Sequence, residues 1–286
     1  MTPTVIAAEV ADWAVMYPCL FGDITKPPRI VFLYHVKMMV HFINHILPHI
    51  ENNFVLVSSG SDRTIPTGRG DSRFGPLYGF SSDKDGGPYW QLLMNHPKLL
   101  HWFCENHDLV HPKVSTLPIG VVEDHLGMEH IQIIRGPTML QDIPLKFLVA
   151  HRTRKGSQQW DLRLQITQHC RDLEVQYGNT SLCVAAPAHI QSLNPRRGIP
   201  QELFIALASQ VTFIVCVHGG GIDPSPKAWE AIMLGRIPII HHNQLDDAYA
   251  QLPVLFVDNW NVLFDRNTSS VVARLAVVKE LLSPYY

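Results

Sequence analysis

Two periods of apolar spacing alternate along the chain. Residues 29–34 form a short β-rich run, and 36–50 follow with apolar positions at helical spacing. Residues 53–57 read as a second buried strand ending in Ser58-Ser59-Gly60. The stretch 61–88 then loses all periodicity and holds six glycines, three prolines, three arginines and four aspartates, the composition of a functional loop. Pro88 suits the first turn of a helix through 94, and 113–118 reads as a strand. The pattern restarts after Pro144. It predicts strands at 145–150, 173–177, 211–217, 237–240 and 254–257, and helices at 157–170, 201–210 and 224–234. Gly235 is placed to close the last of these helices. Residues 269–282 form a terminal helix. Strand–helix alternation predicts an α/β fold with doubly wound parallel sheets. The restart predicts two such domains, 1–142 and 143–268, with 269–286 a helix packing on either.

Length and composition fit this picture. At ~100–200 residues per domain, 286 residues make one large or two modest domains. The chain is 46% hydrophobic and 17% charged, which excludes a disordered polymer. Its net charge of −2 argues against a protein that coats nucleic acid or anionic membrane, so any anion site must be a local cluster. No apolar run reaches the ~18–20 residues of a membrane-spanning helix. The first twenty residues carry Glu9 and Asp12 and no basic leader, so a cytoplasmic chain is expected. The five cysteines are few and widely spaced and read as reduced, mostly buried thiols. With no secretory leader read at the N-terminus, the acceptor-like triplets Asn179-Thr180-Ser181 and Asn267-Thr268-Ser269 are read as chance.

The sharpest chemical feature is 213–240, FIVCVHGGGIDPSPKAWEAIMLGRIPII. An apolar strand runs into His218-Gly219-Gly220-Gly221 and then a helix, an arrangement that gathers backbone N–H groups at a positive helix end. Lys227 lies in the first helical turn, and Glu230 is spaced to accept ribose hydroxyls. Neither GxxxxGK[ST], GxGxxG nor GxSxG is present.

The segment resembles the C-terminal signature of the exostosin-like glycosyltransferases. The matching residues are Gly219, Gly221, Asp223, Lys227, Glu230-Ala231, Gly235 and Ile237-Pro238-Ile239, followed by Leu252-Pro253 and Asp258-Asn259-Trp260. A second block is similar to compact members from large viruses, algae and microbes. It runs through His96-Pro97, Trp102-Phe103, Glu105-Asn106, His111-Pro112-Lys113 and Leu117-Pro118-Ile119-Gly120. Together the blocks span 53–120 and 145–262. The family usually has Arg where this chain has Lys227; charge is kept and two-pronged geometry is lost.

The resemblance implies a GT-B fold of two Rossmann-like domains, with a UDP-sugar donor in the C-terminal one and a glycan acceptor, oligosaccharide or glycoprotein, at the other. It implies inverting transfer with no obligatory metal and no other cofactor; xylose is the first candidate sugar. The donor-binding set is then Arg152, Arg154, Gly219, Gly220, Gly221, Asp223, Lys227 and Glu230. The two arginines follow strand 145–150 and belong at its carboxyl end. The base is sought among carboxylates of the N-terminal loop, Asp62 or Asp71, with Glu105 and the imidazole of His107 as weaker candidates. A nucleotide-sugar-binding module without catalysis, or another doubly wound nucleotide-dependent enzyme, are the competing readings. Asp83-Lys84-Asp85 is read as a solvated turn. His41, His45 and His49, spaced along one helix face, are read as surface and packing rather than a metal site.

Overall fold

The computed structural model describes residues 10–16, 19–23, 25–35, 38–68, 89–121, 139–152, 158–188, 198–265 and 268–286. It is a mixed α/β structure with two parallel-dominated sheets, compatible with a Rossmann-like fold. The chain divides into two compact units. One is Met1–Gly120 with Gly220–Asp223 and Asn243–Ala248; the other is Val121–Gly219, Pro224–His242 and Tyr249–Tyr286.

The first unit is built on six strands: β1 (Trp13–Met16), β2 (Cys19–Gly22), β3 (Ile30–Tyr34), β4 (Phe54–Ser59), β5 (Leu99–Cys104) and β6 (Val114–Thr116). Their order is β2-β1-β3-β4-β5-β6. The β1–β2 pair is antiparallel and every other pair parallel. From β3 to β6 each strand neighbours the next in sequence, so right-handed crossovers stack their connections on one face. That face holds Val31, Leu33, Phe54, Leu56, Trp102 and Cys104, under Met39, Phe42, Ile43, Leu47 and Leu93. Trp102 is fully buried, and its indole N–H donates to Ser58 Oγ at 2.9 Å. The helical run expected over 36–50 is α1 (Met38–His41), continued by a π turn (Phe42–Ile46) and a 3-10 turn (Leu47–His49). Its three histidines lie on the exposed side, with the His41 and His45 rings 4.8 Å apart. The short helix α2 (Tyr89–Met94) precedes β5.

The second unit has five strands: β7 (Phe147–Val149), β8 (Cys183–Ala185), β9 (Phe213–Val215), β10 (Ile237–His241) and β11 (Leu255–Val257). They are all parallel, in the order β11-β10-β9-β7-β8. From β7 the chain first steps one way, to β8, and then returns past β7 to β9, β10 and β11. Right-handed connections therefore fall on opposite faces, as in a doubly wound sheet. Among the described residues its helices are α3 (Gln158–Tyr177), α4 (Gln201–Ala208), α5 (Pro226–Met233) and α6 (Thr268–Leu282). Ile166 and Cys170 of α3 and Val271 and Leu275 of α6 join Phe147, Val149, Phe213, Val215 and Ile237 in one core. Leu148, Ile214 and Ile240, of opposite parity along the strands, are buried as well.

Two expectations are corrected here, and some strands were not foreseen. Residues 173–177 are not a strand but the last turns of α3. Leu173, Val175 and Tyr177 mimic a period of two, yet Val175 is 88% exposed, and Leu173 falls seven positions after Ile166 on the buried stripe. The second strand of this sheet is β8 instead. Nor are all five cysteines thiols. Cys170 on α3 and Cys183 on β8 are joined by a disulfide, their Cα atoms 5.5 Å apart. Cys104 and Cys216 are buried thiols and Cys19 an exposed one. Finally, β1, β2 and β5 went unpredicted. Elsewhere Gly235 closes α5 at φ 68°, as expected. Among the described residues no helix is long and apolar enough to cross a membrane.

Candidate functional site

In a doubly wound sheet the strand order reverses at one point, and a crevice opens there at the strands' carboxyl ends. In the second unit that point lies between β7 and β9. Strand β7 runs out into Ala150, His151 and Arg152, and β9 into Cys216, Val217, His218 and Gly219. Helix α3 adds Arg163, and α5 adds Lys227 and Glu230.

Arg163 is 5% exposed. Its guanidinium donates from Nε to the His218 carbonyl at 3.0 Å and from Nη2 to the Val217 carbonyl at 2.7 Å, and stacks over Trp160. This fixes the strand exit and explains Gly219. A Cβ there would stand 2.6 Å from Arg163 Nη2, so any larger residue would push the guanidinium aside.

Lys227 follows Pro226, the first residue of α5. Burial pushes its ammonium down to about 8; Arg163 and Arg152 push the same way, while Glu230 and Cys216 oppose. His151 is buried and held well below its usual range by burial, then by Arg163 and Lys227, so it is neutral at pH 7. Glu230 is buried on the turn after Lys227. Among the described residues, three basic groups and a neutral imidazole thus share one neighbourhood with the Glu230 carboxylate, an arrangement suited to a multiply charged anion.

The glycine turn is divided between the two units. Gly220, Gly221 and Asp223 group with the first unit, apart from Gly219, Lys227 and Glu230. Within that unit Asn106 Oδ1 accepts from the N–H groups of Ile222 and Asp223, both at 3.0 Å. Asn106 Nδ2 donates to the Ser61 carbonyl at 3.1 Å. Asp223 Oδ2 accepts from Ile119 N–H at 3.3 Å, and Asn243 Nδ2 donates to the Ile222 carbonyl at 2.9 Å. Gly221 has φ 67°, and a Cβ on it would fall 2.1 Å from Asn106 Oδ1. The N–H groups of 222 and 223, part of the turn assigned to a diphosphate, therefore hold an amide oxygen of the protein itself.

The carboxyl ends of β4 and β5 carry the first unit's candidate chemistry. Asp62 is exposed, three residues past β4. Glu105, immediately after β5, is 6% exposed. Its Oε2 accepts from Gly60 N–H at 2.8 Å, and Ser61 N–H also bonds the carboxylate. Burial nevertheless raises it to about 7, with Asp223 and Asp62 adding like charge. His107 is engaged on both ring nitrogens, by the Leu109 carbonyl and Thr116 Oγ1, and burial lowers it.

Of the predicted donor residues, Arg152, Gly219, Lys227 and Glu230 come together, and Gly220, Gly221 and Asp223 stand with the other unit. Arg154, Asp71 and the Asp83-Lys84-Asp85 triplet lie outside the described residues. Sequence reading missed Arg163 and His151. Arg163 did carry a signal: it interrupts the Trp160, Ile166, Cys170 stripe of α3, and a charge in an apolar stripe needs an internal partner. No protein-family model matches the chain, and no curated protein shows a significant match.

Proposed function

We propose that the protein is an inverting glycosyltransferase of the exostosin-like kind, with GT-B architecture, that takes its sugar from a nucleotide-sugar donor. One observation carries the reading: Arg152, Arg163 and Lys227 share the β7–β9 switch point with the buried carboxylate of Glu230. Cations there stabilise the charge that develops on a departing diphosphate. A carboxylate one helical turn away suits paired ribose hydroxyls. The motif residues that resemble the family include two of these, Lys227 and Glu230, which is what favours this reading over another doubly wound nucleotide-dependent enzyme.

Transfer to a glycan hydroxyl also needs a proton acceptor. Glu105 is now the strongest of the carboxylates weighed, because burial brings it to about 7, near the working pH of a general base.

Thermal stabilisation against a panel of nucleotides and nucleotide sugars, with and without EDTA, tests the donor site. UDP and one UDP-sugar should raise the melting temperature, in both conditions if transfer needs no metal. Lys227→Met should abolish the shift. No shift with any nucleotide refutes the reading. Glu105→Gln and Asp62→Asn, each assayed for turnover and donor binding, separate an enzyme from a binding module. An enzyme loses turnover in one of them, by ~10²–10⁴-fold, and keeps donor binding.

A further inference from the structure

We propose that Asn179 is an N-glycosylation site, and that its glycan stands over an apolar groove between the end of α3 and helix α6. The site belongs wholly to the second unit and does not depend on the donor reading.

Cys170 on α3 and Cys183 on β8 are both buried, and they are bonded to each other with their Cα atoms 5.5 Å apart. Such bonds form and persist in secreted chains and in the oxidising compartments those chains pass through. A thiol pair in a reducing compartment would stay open. The same route is where asparagine in an Asn-x-Ser/Thr triplet acquires a glycan, on a surface loop.

The segment closed by this disulfide holds such a triplet, Asn179-Thr180-Ser181. Gly178–Thr180 form an exposed 3-10 turn between the end of α3 and β8. Gly178 opens it at φ 53°, and among the described residues a Cβ built there would meet nothing within 4 Å. Lys146 Nζ donates to the Asn179 carbonyl at 3.0 Å, and Thr180 Oγ1 donates to the Tyr177 carbonyl at 2.7 Å. The turn is therefore fixed through its backbone and Thr180, with Asn179 on the surface. Ser181 is placed differently. It is 2% exposed, and its Oγ donates to the Cys183 carbonyl at 3.0 Å and accepts from the Cys183 N–H at 3.1 Å. The acceptor pattern includes that hydroxyl, so the glycan is added before β8 docks and remains outside once it has.

The two acceptor triplets, far apart in sequence, also converge. A groove of about 380 Å³ has apolar walls from Leu173, Tyr177, Leu182 and Val272, and it is lined as well by Thr180 of the first triplet and Ser269 of the second. An open apolar surface promotes association, and a bulky hydrated chain rooted beside it covers it. In the transfer, Asn179 Nδ2 forms a bond to the anomeric carbon of an oligosaccharide carried on a lipid diphosphate. The bond from that carbon to the diphosphate oxygen breaks, the lipid diphosphate leaves with the electron pair, and the amide gives up one proton to the transferring enzyme. No oxidant or reductant is consumed.

The test is production of the whole chain along the secretory route of a eukaryotic cell, in an Asn267→Gln background so that a glycan is read at one place. Glycopeptide mass spectrometry should find Asn179 occupied, and Asn179→Gln should remove the glycan. The denatured protein should titrate three thiols, those of Cys19, Cys104 and Cys216. Peptide-N-glycosidase treatment of the folded protein should raise the binding of a hydrophobic dye, anilinonaphthalene sulfonate, several-fold, and Asn179→Gln should match the treated protein. The treated protein has folded with its glycan, so this comparison stands even where the variant folds poorly. Asn179 bare in the folded, secreted chain overturns the site, and so do five titratable thiols. Dye binding that glycan removal leaves unchanged overturns the covering of the groove.

Discussion

Glu105→Gln separates a carboxylate kept for chemistry from one kept for the fold. The carboxyl sits at about 7 in the folded chain, against an ordinary 4.5. Between those values the folded state holds the proton more tightly than the unfolded state. Stability from this group is therefore complete below about 4.5 and is lost as pH rises through about 7. Each pKa unit is worth ~1.36 kcal/mol. Integrated between pH 5 and pH 8, the loss comes to about 2.5 kcal/mol, which corresponds to roughly 5–10 °C in melting temperature for a unit of this size. Glutamine has the same shape and an oxygen for the Gly60 N–H, and it has no proton to lose. The assay is urea denaturation of both proteins at pH 5 and pH 8. Other titrating groups act on both proteins, so the difference between them isolates Glu105. The variant should gain about 2.5 kcal/mol on the wild type between the two pH values. If Gln also abolishes turnover, the natural residue destabilises the fold above neutrality and serves the reaction. A difference that is the same at both pH values would refute the reasoning.

Substitutions at three further places probe the framework. Arg236 is buried, and its guanidinium donates to the carbonyls of Ala208, Ser209, Leu234 and Gly235, at the ends of α4 and α5. Arg236→Met should lose about 3–5 kcal/mol in urea denaturation, and Arg236→Lys should recover only part of it, since an ammonium cannot span both helix ends. Cys170→Ser or Cys183→Ser should each cost about 3 kcal/mol, the value for a loop of 13 residues, and the double variant no more than either; wild-type stability unchanged by reductant would contradict this. Asn106→Ala should leave two N–H groups without their acceptor, cost about 2–3 kcal/mol, and speed proteolytic cleavage at 220–223.

The fold class was legible because strand–helix alternation is a local property. The apolar runs ending at Val217 and Ile240, with Gly235 between, follow directly from spacing and backbone preference. What escaped was set by distant partners. Strand β1 is short and is defined by pairing with β3, and β5 carries His101 and exposed Phe103 because only one of its faces is buried. At the candidate site, Lys227, Glu230 and Arg152 were legible as charges placed near a strand end or a first helical turn. Arg163 was legible only as a charge within an apolar stripe, since the carbonyls it serves lie 54 and 55 residues away. The glycine turn shows the same limit. Nothing near it in sequence announces that Asn106 will accept from the N–H groups of Ile222 and Asp223.

The way the first unit is assembled limits how the protein can be taken apart. Its three pieces are Met1–Gly120, Gly220–Asp223 and Asn243–Ala248, so no single cut of the gene releases it whole. A fragment stopped at Gly120 would carry Asn106 without Ile222 and Asp223, and Ile119 without the Asp223 carboxylate. Domain exchange between related chains faces the same obstacle. A chimera joined near residue 120 would pair one parent's Asn106 with the other parent's glycine loop, and these two regions have to be inherited together.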